Sequence, residues 1–412
     1  MTLPDTFIRQ MRSMMADAAW QRLYEGLQQQ PSTSIRLNPA KGGTPPEGAT
    51  KVPWCEYGYY LAERPNFTLD PLLHAGLYYV QEASSMFLHH ILRHLVGRPV
   101  ALLDLCAAPG GKTTTAIGAL PQGSTVYCNE PVRLRAQILS ENIQKWGTPG
   151  VTVTSNYPAD YARSKMTFDV ILCDVPCSGE GMFRKDEEAV RQWSPQLVDN
   201  CQRLQREILA SAWQCLHPGG LLVYSTCTFN TKEDEENVKW LMEEFDAMPL
   251  DIPVETSWNI QGSLLEGFSQ PVYRFLPGFT RGEGLFMAAL RKPGRPGETM
   301  ERKGNGRKKK DHNPLNVLYD GRPAPEIKGG KPVPTHAMAL STALSANDYP
   351  QVALDLPTAL NYLRRETIPL PPGTPTGYVI VTYQGHPLGF VKNIGSRANN
   401  LYPKEWRILS RG

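Results

Sequence analysis

Two short segments carry the residue types best suited to covalent chemistry. One reads Cys173-Asp174-Val175-Pro176-Cys177-Ser178-Gly179-Glu180-Gly181, the other Tyr224-Ser225-Thr226-Cys227-Thr228. Each closes an apolar, strand-like run, so neighbouring strands would bring two thiols and a carboxylate into one small space. A thiolate that adds to carbon 6 of a pyrimidine makes carbon 5 carbanion-like and able to attack an electrophilic methyl group, and an acid near N3 eases the addition. An ordinary thiol is mostly protonated near neutrality, so such a site must also supply a positive charge, a dipole or a base. Three residues lie between Cys173 and Cys177 rather than two, and no nearby histidine pair completes four ligands, which argues against zinc. Cys106, Cys128, Cys201 and Cys215 read as inert cysteines, with Cys106 placed for backbone geometry.

A third segment is Asp104-Leu105-Cys106-Ala107-Ala108-Pro109-Gly110-Gly111-Lys112-Thr113. Small residues and paired glycines let the backbone approach a ligand, and a following helix offers free N–H groups. The phosphate-loop pattern needs glycine where Cys106 stands, and no dinucleotide GxGxxG is present. Glu130 ends the next apolar run, where a carboxylate can take ribose hydroxyls. A glycine loop after strand one and an acid after strand two, without a pyrophosphate signature, fit S-adenosylmethionine. Leu216-His217-Pro218-Gly219-Gly220 resembles a turn common in methyltransferases that use it.

The elements that must hold these segments form a regular alternation. Apolar runs at 100–105, 124–130, 151–154, 168–175 and 220–227 are separated by stretches with helical spacing. That pattern predicts an α/β fold: a parallel, Rossmann-like sheet covered on both faces, with ligands outside the carboxyl ends of its strands. Residues 4–29 predict one or two amphipathic helices, a proline-rich stretch predicts short strands, and 76–95 predict a strand passing into a buried helix. Near the C-terminus GYVIVTYQGHPLGFVKN alternates about a central QGH and predicts a β-hairpin. The division expected is 1–75, an N-terminal RNA-binding region; 76–292, the catalytic domain; 293–314, a basic linker; and 315–412, a mainly β module.

The chain has 412 residues, 41% hydrophobic and 20% charged, as in a folded multidomain protein. Its net charge is +3, yet Arg291 to Lys310 holds nine basic and two acidic residues, +7, so the rest is −4 (3 − 7). A global polycation is excluded, while the linker suits attraction to an RNA backbone. No apolar run is long enough to span a membrane and no signal peptide is readable. Eight cysteines without disulfide-framework spacing favour a reducing cytoplasm. Nothing implies a metal or an obligatory partner chain.

DLCAAPGGKT, DVPCSGEG and YSTCT together resemble the RNA cytosine-5 methyltransferases of the Nop/Sun group. The resemblance covers about residues 30 to 290, and the C-terminal segment is similar to the PUA-like RNA-binding domain of bacterial ribosomal RNA members. It implies methyl transfer from S-adenosylmethionine to carbon 5 of cytidine in small-subunit ribosomal RNA, through a covalent Cys–C6 intermediate. Cys227 matches the nucleophile, Cys177 the thiol assisting product release, and Asp174 the acid near base and methyl donor. Cys106, Ala107, Ala108, Pro109, Gly110, Gly111 and Lys112 match the cofactor loop, Glu130 the ribose acid, and Arg135 a basic residue beside the cofactor. Ser34 to Pro39 resembles an RNA-contacting motif in which Arg36 would touch RNA, and Lys392, Arg397 and Lys404 lie among Phe390, Tyr402 and Trp406 as an RNA-binding surface would. Relatives often carry an acid after the third strand, where Tyr157 stands here, leaving Asn156 to bond adenine or Tyr157 to pack on it. The same chemistry on transfer RNA, or a weakly active ribosome-assembly factor, are the alternatives. DNA methylation fits less well, because no Glu-Asn-Val follows the strand-four Pro-Cys.

Overall fold

The computed structural model describes residues 2–295, 315–345 and 347–410, so most of the basic linker lies outside the described residues. Five parallel strands form its centre: β1 (Ala101–Asp104), β2 (Thr125–Asn129), β3 (Val151–Thr154), β4 (Phe168–Asp174) and β5 (Leu216–Thr226). With β6 (Leu285–Arg291) antiparallel beside β5, the order is β6-β5-β4-β1-β2-β3. Strand order reverses between β1 and β4, which opens a crevice above their carboxyl ends.

Alternation along each strand splits the core into two layers. Leu102, Val126, Val153 and Val170 face one layer, with helices Phe87–Leu95 and Arg133–Trp146 above them. Leu103, Ile171 and Leu222 face the other, against the long helix Pro195–Cys215 and Glu235–Phe245. Both faces are covered, so these strands read as continuous apolar runs.

Helices Asp5–Met14 and Asp17–Gln28 bury Phe7, Met11, Trp20 and Leu23 against Phe183, Trp193 and Phe229, just beyond the β4 and β5 exits. A four-stranded sheet containing Ser34–Leu37 and Tyr78–Val80 follows, and the chain then enters the helix Phe87–Leu95. At the other end, Gly377–Tyr383 and His386–Asn393 pair as the expected hairpin. Its turn residues Gln384 and Gly385 both have positive φ (49° and 82°), the twist a two-residue hairpin turn requires.

One strand departs from the expected division. Val317–Tyr319 pairs antiparallel with β3 rather than with the C-terminal sheet, so the catalytic sheet takes a strand from beyond the linker. Asn156 makes that return possible: its side chain accepts from the Asn316 N–H at 2.9 Å and donates to the Asn316 carbonyl at 3.3 Å. Among the described residues, no helix is long and apolar enough to cross a membrane.

The C-terminal sheet packs on Ala75 and Leu77 of the N-terminal region, near a buried basic cluster. Burial, aided by the Lys145 charge, lowers the His74 pKa to about 4, although its Nε2 meets the Thr68 carbonyl at 2.9 Å. Burial likewise lowers His336 to about 3, with Lys145, Lys41 and His74 adding to it. A folded-state value below the unfolded one means that the unfolded chain binds more protons, so stability is full above about pH 6.5 and falls as pH drops toward 4. For His74 alone this is on the order of 3 kcal/mol. Urea denaturation of wild type and His74→Gln at pH 7.5, 6 and 5 isolates this contribution: the stability lost by wild type relative to the variant should grow as pH falls.

Candidate active site

The β4 and β5 strands leave the sheet in register, Asp174 opposite Ser225, and the Val175 N–H extends the pairing to the Ser225 carbonyl at 3.1 Å. Cysteines three and two residues further on therefore converge, and the Cys177 and Cys227 sulfurs stand 3.0 Å apart. The Cys227 backbone N–H also points at the Cys177 sulfur, at 3.4 Å. The hydrogen bond with Cys227, together with burial, holds the Cys177 thiol well above its ordinary pKa.

Asp174 and Lys112 complete the cluster. Lys112 Nζ lies 2.9 Å from Asp174 Oδ2, and the Ser225 hydroxyl donates to Oδ1 at 2.8 Å. Burial acts to lower the Lys112 pKa, but the Asp174 carboxylate, and after it Cys227, raise it above the ordinary value. The cluster thus holds an ammonium, the kind of positive charge that a reactive thiol requires.

The two loops are held together from behind by fully buried carboxylates. Glu180, on the Cys177 loop, accepts from the N–H groups of Phe229 and Asn230, from the Asn230 amide at 3.0 Å and from the Trp193 indole at 2.9 Å. Glu233, beyond the Cys227 loop, reaches back to accept from the Ser178 N–H at 3.0 Å and from the Asn230 amide at 2.9 Å. Asn230 is the hinge pin between the two acids. Burial, and then the charge of Glu233, raise the Glu180 pKa to about 7.

Gly181 belongs to the same junction. Its N–H donates to the Cys227 carbonyl at 2.7 Å, and a Cβ there would sit 2.9 Å from both that oxygen and the Gly284 carbonyl. Gly181→Ala must therefore displace backbone beside the thiol. The expected loss is about 10- to 100-fold in single-turnover rate with an unchanged fold, since a displacement of about 1 Å can cost that much. Far-UV circular dichroism alongside single-turnover assay checks it.

The glycine loop crosses the mouth of the crevice. Gly110 has a φ of 113°, and the helix Gly111–Ala119 begins directly after it, leaving its first N–H groups without intrahelical acceptors. Ala107 and Ala108 are buried, while the carbonyls of Ala108 and Pro109 are held by Arg135 at 3.2 Å and Asn142 at 2.9 Å. Arg135 also faces Glu130 at 3.3 Å, and the other Glu130 oxygen accepts from the Val132 N–H at 3.0 Å. Burial pushes the Cys106 thiol well up, in keeping with a packing role. Below the loop, Asp104 accepts from the Thr113 hydroxyl at 2.6 Å, whereas its buried Oδ1 has no partner within hydrogen-bond geometry among the described residues. An orphaned acceptor, a ribose-type carboxylate and a row of helix N–H groups fit the ammonium, sugar and carboxylate of S-adenosylmethionine.

Two residues expected to face ligands have other partners in the structure. Arg36 is 1% exposed, its donors bonded to Gln81 at 2.8 Å and Thr114 at 2.6 Å and its guanidinium 4.6 Å from the Trp146 ring, so it ties the N-terminal sheet to the glycine-loop helix and offers RNA no surface. The Asn156 side chain is committed to Asn316, while the Tyr157 ring is 70% exposed. In the C-terminal module Phe390 and Tyr402 are core, leaving Trp406 half-buried against His336. Sequence reasoning placed Lys112 only in the cofactor loop and missed Asp104, Glu180, Asn230 and Glu233.

Comparison with known proteins identifies the family. The family model described as 16S rRNA methyltransferase RsmB/F matches residues 98–291. Two others, the N-terminal domain of 16S rRNA methyltransferase RsmF and the methyltransferase RsmF PUA domain, match 3–83 and 349–408. The chain is 32% identical to ribosomal RNA small subunit methyltransferase F of Salmonella agona, covering 98% of this chain and 96% of that one. It is 33% identical to the protein of the same name from Aeromonas salmonicida, over 86% and 84%. Among solved structures, a methyltransferase homolog protein from Pyrococcus horikoshii superimposes with a TM-score of 0.60 at 25% identity, covering 70% of this chain and 95% of that one. NSun6 from the same organism, solved with SFG, shares the fold at a TM-score of 0.59 and 19% identity, over 70% and 98%. These matches run over most of both chains, and the chain belongs to the ribosomal RNA small subunit methyltransferase F family of S-adenosylmethionine-dependent enzymes.

Proposed function

We propose that the protein methylates carbon 5 of a cytidine in small-subunit ribosomal RNA, with Cys227 as the covalent nucleophile. The observation that carries this reading is the pair of sulfurs 3.0 Å apart beside the Lys112–Asp174 ion pair. Bound S-adenosylmethionine supplies an electrophilic methyl group. Asp104, Glu130 and the Gly110–Gly111 turn would hold it, with Arg135 keeping Glu130 and the loop in place.

The chain's own residues account for the rest. Cys227 as thiolate, favoured by the Lys112 ammonium, adds through sulfur to carbon 6, and the ring's electron pair moves toward carbon 5. The proton that Cys227 gives up, held between the Asp174 carboxyl and cytosine N3, would draw that electron density, since a bare carboxylate cannot donate to N3. After carbon 5 is methylated, solvent takes the carbon-5 proton, the C–H electron pair re-forms the carbon 5–carbon 6 double bond, and the Cys227 sulfur departs as a thiolate. Cys177, already bonded to Cys227, is placed to assist that release. The base must be flipped out of any paired RNA to reach these sulfurs.

The product identifies the reaction. Ribosomal RNA and whole small subunits incubated with protein and methyl-labelled S-adenosylmethionine should yield labelled 5-methylcytidine after nuclease digestion. Label in any other nucleoside, or none from either substrate, would overturn the reading.

A further inference from the structure

Beside the thiol site, a polar groove of about 520 Å³ runs between the N-terminal region and the catalytic domain. Its walls come from three segments: the turn Gln29 to Thr33, the stretch Leu61 to Arg64, and Gly278 to Gly282. Three arginines line it against one carboxylate, Glu63. One of them, Arg184, is already committed to Glu283 at 2.8 Å. The other two, Arg64 and Arg281, are exposed, and neither makes an ion pair among the described residues.

Aromatic rings hold those two guanidinium groups. Arg281 lies 4.2 Å from the centroid of the Tyr60 ring, whose hydroxyl donates to the Arg281 carbonyl at 2.8 Å, and Arg64 lies 5.3 Å from the Phe67 ring. A planar cation fixed on a ring loses little further freedom when it meets an anion. Gln29, Gln30, Ser32 and Thr33 also line the groove, and Arg281 donates to the neutral Thr50 hydroxyl at 3.3 Å. Unpaired guanidinium with neutral donors is the composition that binds phosphodiesters rather than cations or apolar ligands.

The groove joins the thiol site through a single stretch of chain. Gly282 forms its wall, and two residues on the Gly284 carbonyl lies beside Gly181, whose N–H donates to the Cys227 carbonyl at 2.7 Å. Two backbone steps span at most about 7 to 8 Å. Glu82 locks this stretch by accepting from the Glu283 N–H at 3.0 Å, and Arg184 does so by donating to the Gly282 carbonyl at 2.5 Å. The wall is therefore rigid between the two sites.

We propose that this groove holds the phosphodiester backbone of the RNA strand next to the target nucleotide, with Arg64 and Arg281 as its phosphate contacts. The assignment rests on the reading of RNA as substrate. It replaces Arg36, which has no exposed surface, as the N-terminal region's RNA contact.

The test compares the full-length wild type with Arg64→Gln/Arg281→Gln, using small-subunit ribosomal RNA as probe between about 50 and 300 mM salt. Each lost single-strand phosphate contact makes the slope of log affinity against log salt shallower by about 0.7, so the double variant should lose about 1.4. Its KM for RNA should rise at least about tenfold while kcat and S-adenosylmethionine affinity hold, the latter also reporting an intact fold. A slope and KM equal to wild type, with methylation intact, would overturn the groove assignment alone and leave the groove to a protein partner. Absence of RNA binding and methylation in wild type would sink the substrate reading and this assignment together.

Discussion

Cys227→Ala should abolish methyl transfer, by roughly 10⁴-fold or more, because removing a nucleophile eliminates the covalent route rather than weakening one contact. S-adenosylmethionine affinity should change little, since the cofactor loop and Glu130 take no contact from this side chain. The effect must therefore fall on the chemical step, and single-turnover methylation with equilibrium cofactor binding separates the two. Cys177→Ala should behave differently. Attack by Cys227 still proceeds, the slow step becomes release, and protein remains joined to RNA. Residual turnover by Cys227→Ala within about tenfold of wild type would show that no thiol adduct lies on the route.

Lys112→Met carries the second large effect. Lys112 is the cation placed against both Asp174 and Cys227, and only 14% of its side chain is exposed, so its loss leaves Asp174, one-third exposed, without its 2.9 Å partner. Removing a preorganised electrostatic group of this kind typically costs about 10²- to 10³-fold. The single-turnover rate should fall by that amount, while Lys112→Arg, which keeps the charge but not its position, should recover part of the loss. A Lys112→Met rate near wild type, or a loss confined to S-adenosylmethionine affinity, would return Lys112 to a cofactor-loop role alone.

What the sequence disclosed follows from what is local. Alternating apolar runs and helical spacing revealed the parallel sheet, because strand and helix periodicities are properties of neighbouring residues. The convergence of Cys177 and Cys227 was legible once β4 and β5 were taken as adjacent, since both cysteines follow strand ends closely. Hidden from sequence were the features that depend on distant partners. Glu180 and Glu233 look like solvated acids, yet each is buried against Asn230, Trp193 or Ser178. A hint lay in the pattern itself: a glutamate set within Ser-Gly-Glu-Gly, and another opening a run of acids directly after a buried loop. Arg36 misled for the converse reason. A lone arginine in a short strand is usually solvated, but here Gln81, Thr114 and Trp146 enclose it. Asn156 was read as facing a ligand because nothing in sequence announces that the chain beyond the linker returns to Asn316.

The sulfur pair also constrains which thiol attacks. Cys227 is the one whose environment includes the Lys112 charge, while burial and the bond to Cys227 keep Cys177 protonated. That asymmetry favours Cys227 as nucleophile and Cys177 as the group acting afterwards.

Covalent trapping tests this assignment most directly. Wild type, Cys177→Ala and Cys227→Ala would each be mixed with S-adenosylmethionine and small-subunit ribosomal RNA, denatured and separated on a gel. The expected result is a slow-migrating protein–RNA adduct with Cys177→Ala and none with Cys227→Ala. An adduct with Cys227→Ala instead, or no adduct with Cys177→Ala while wild type methylates the RNA, would contradict it.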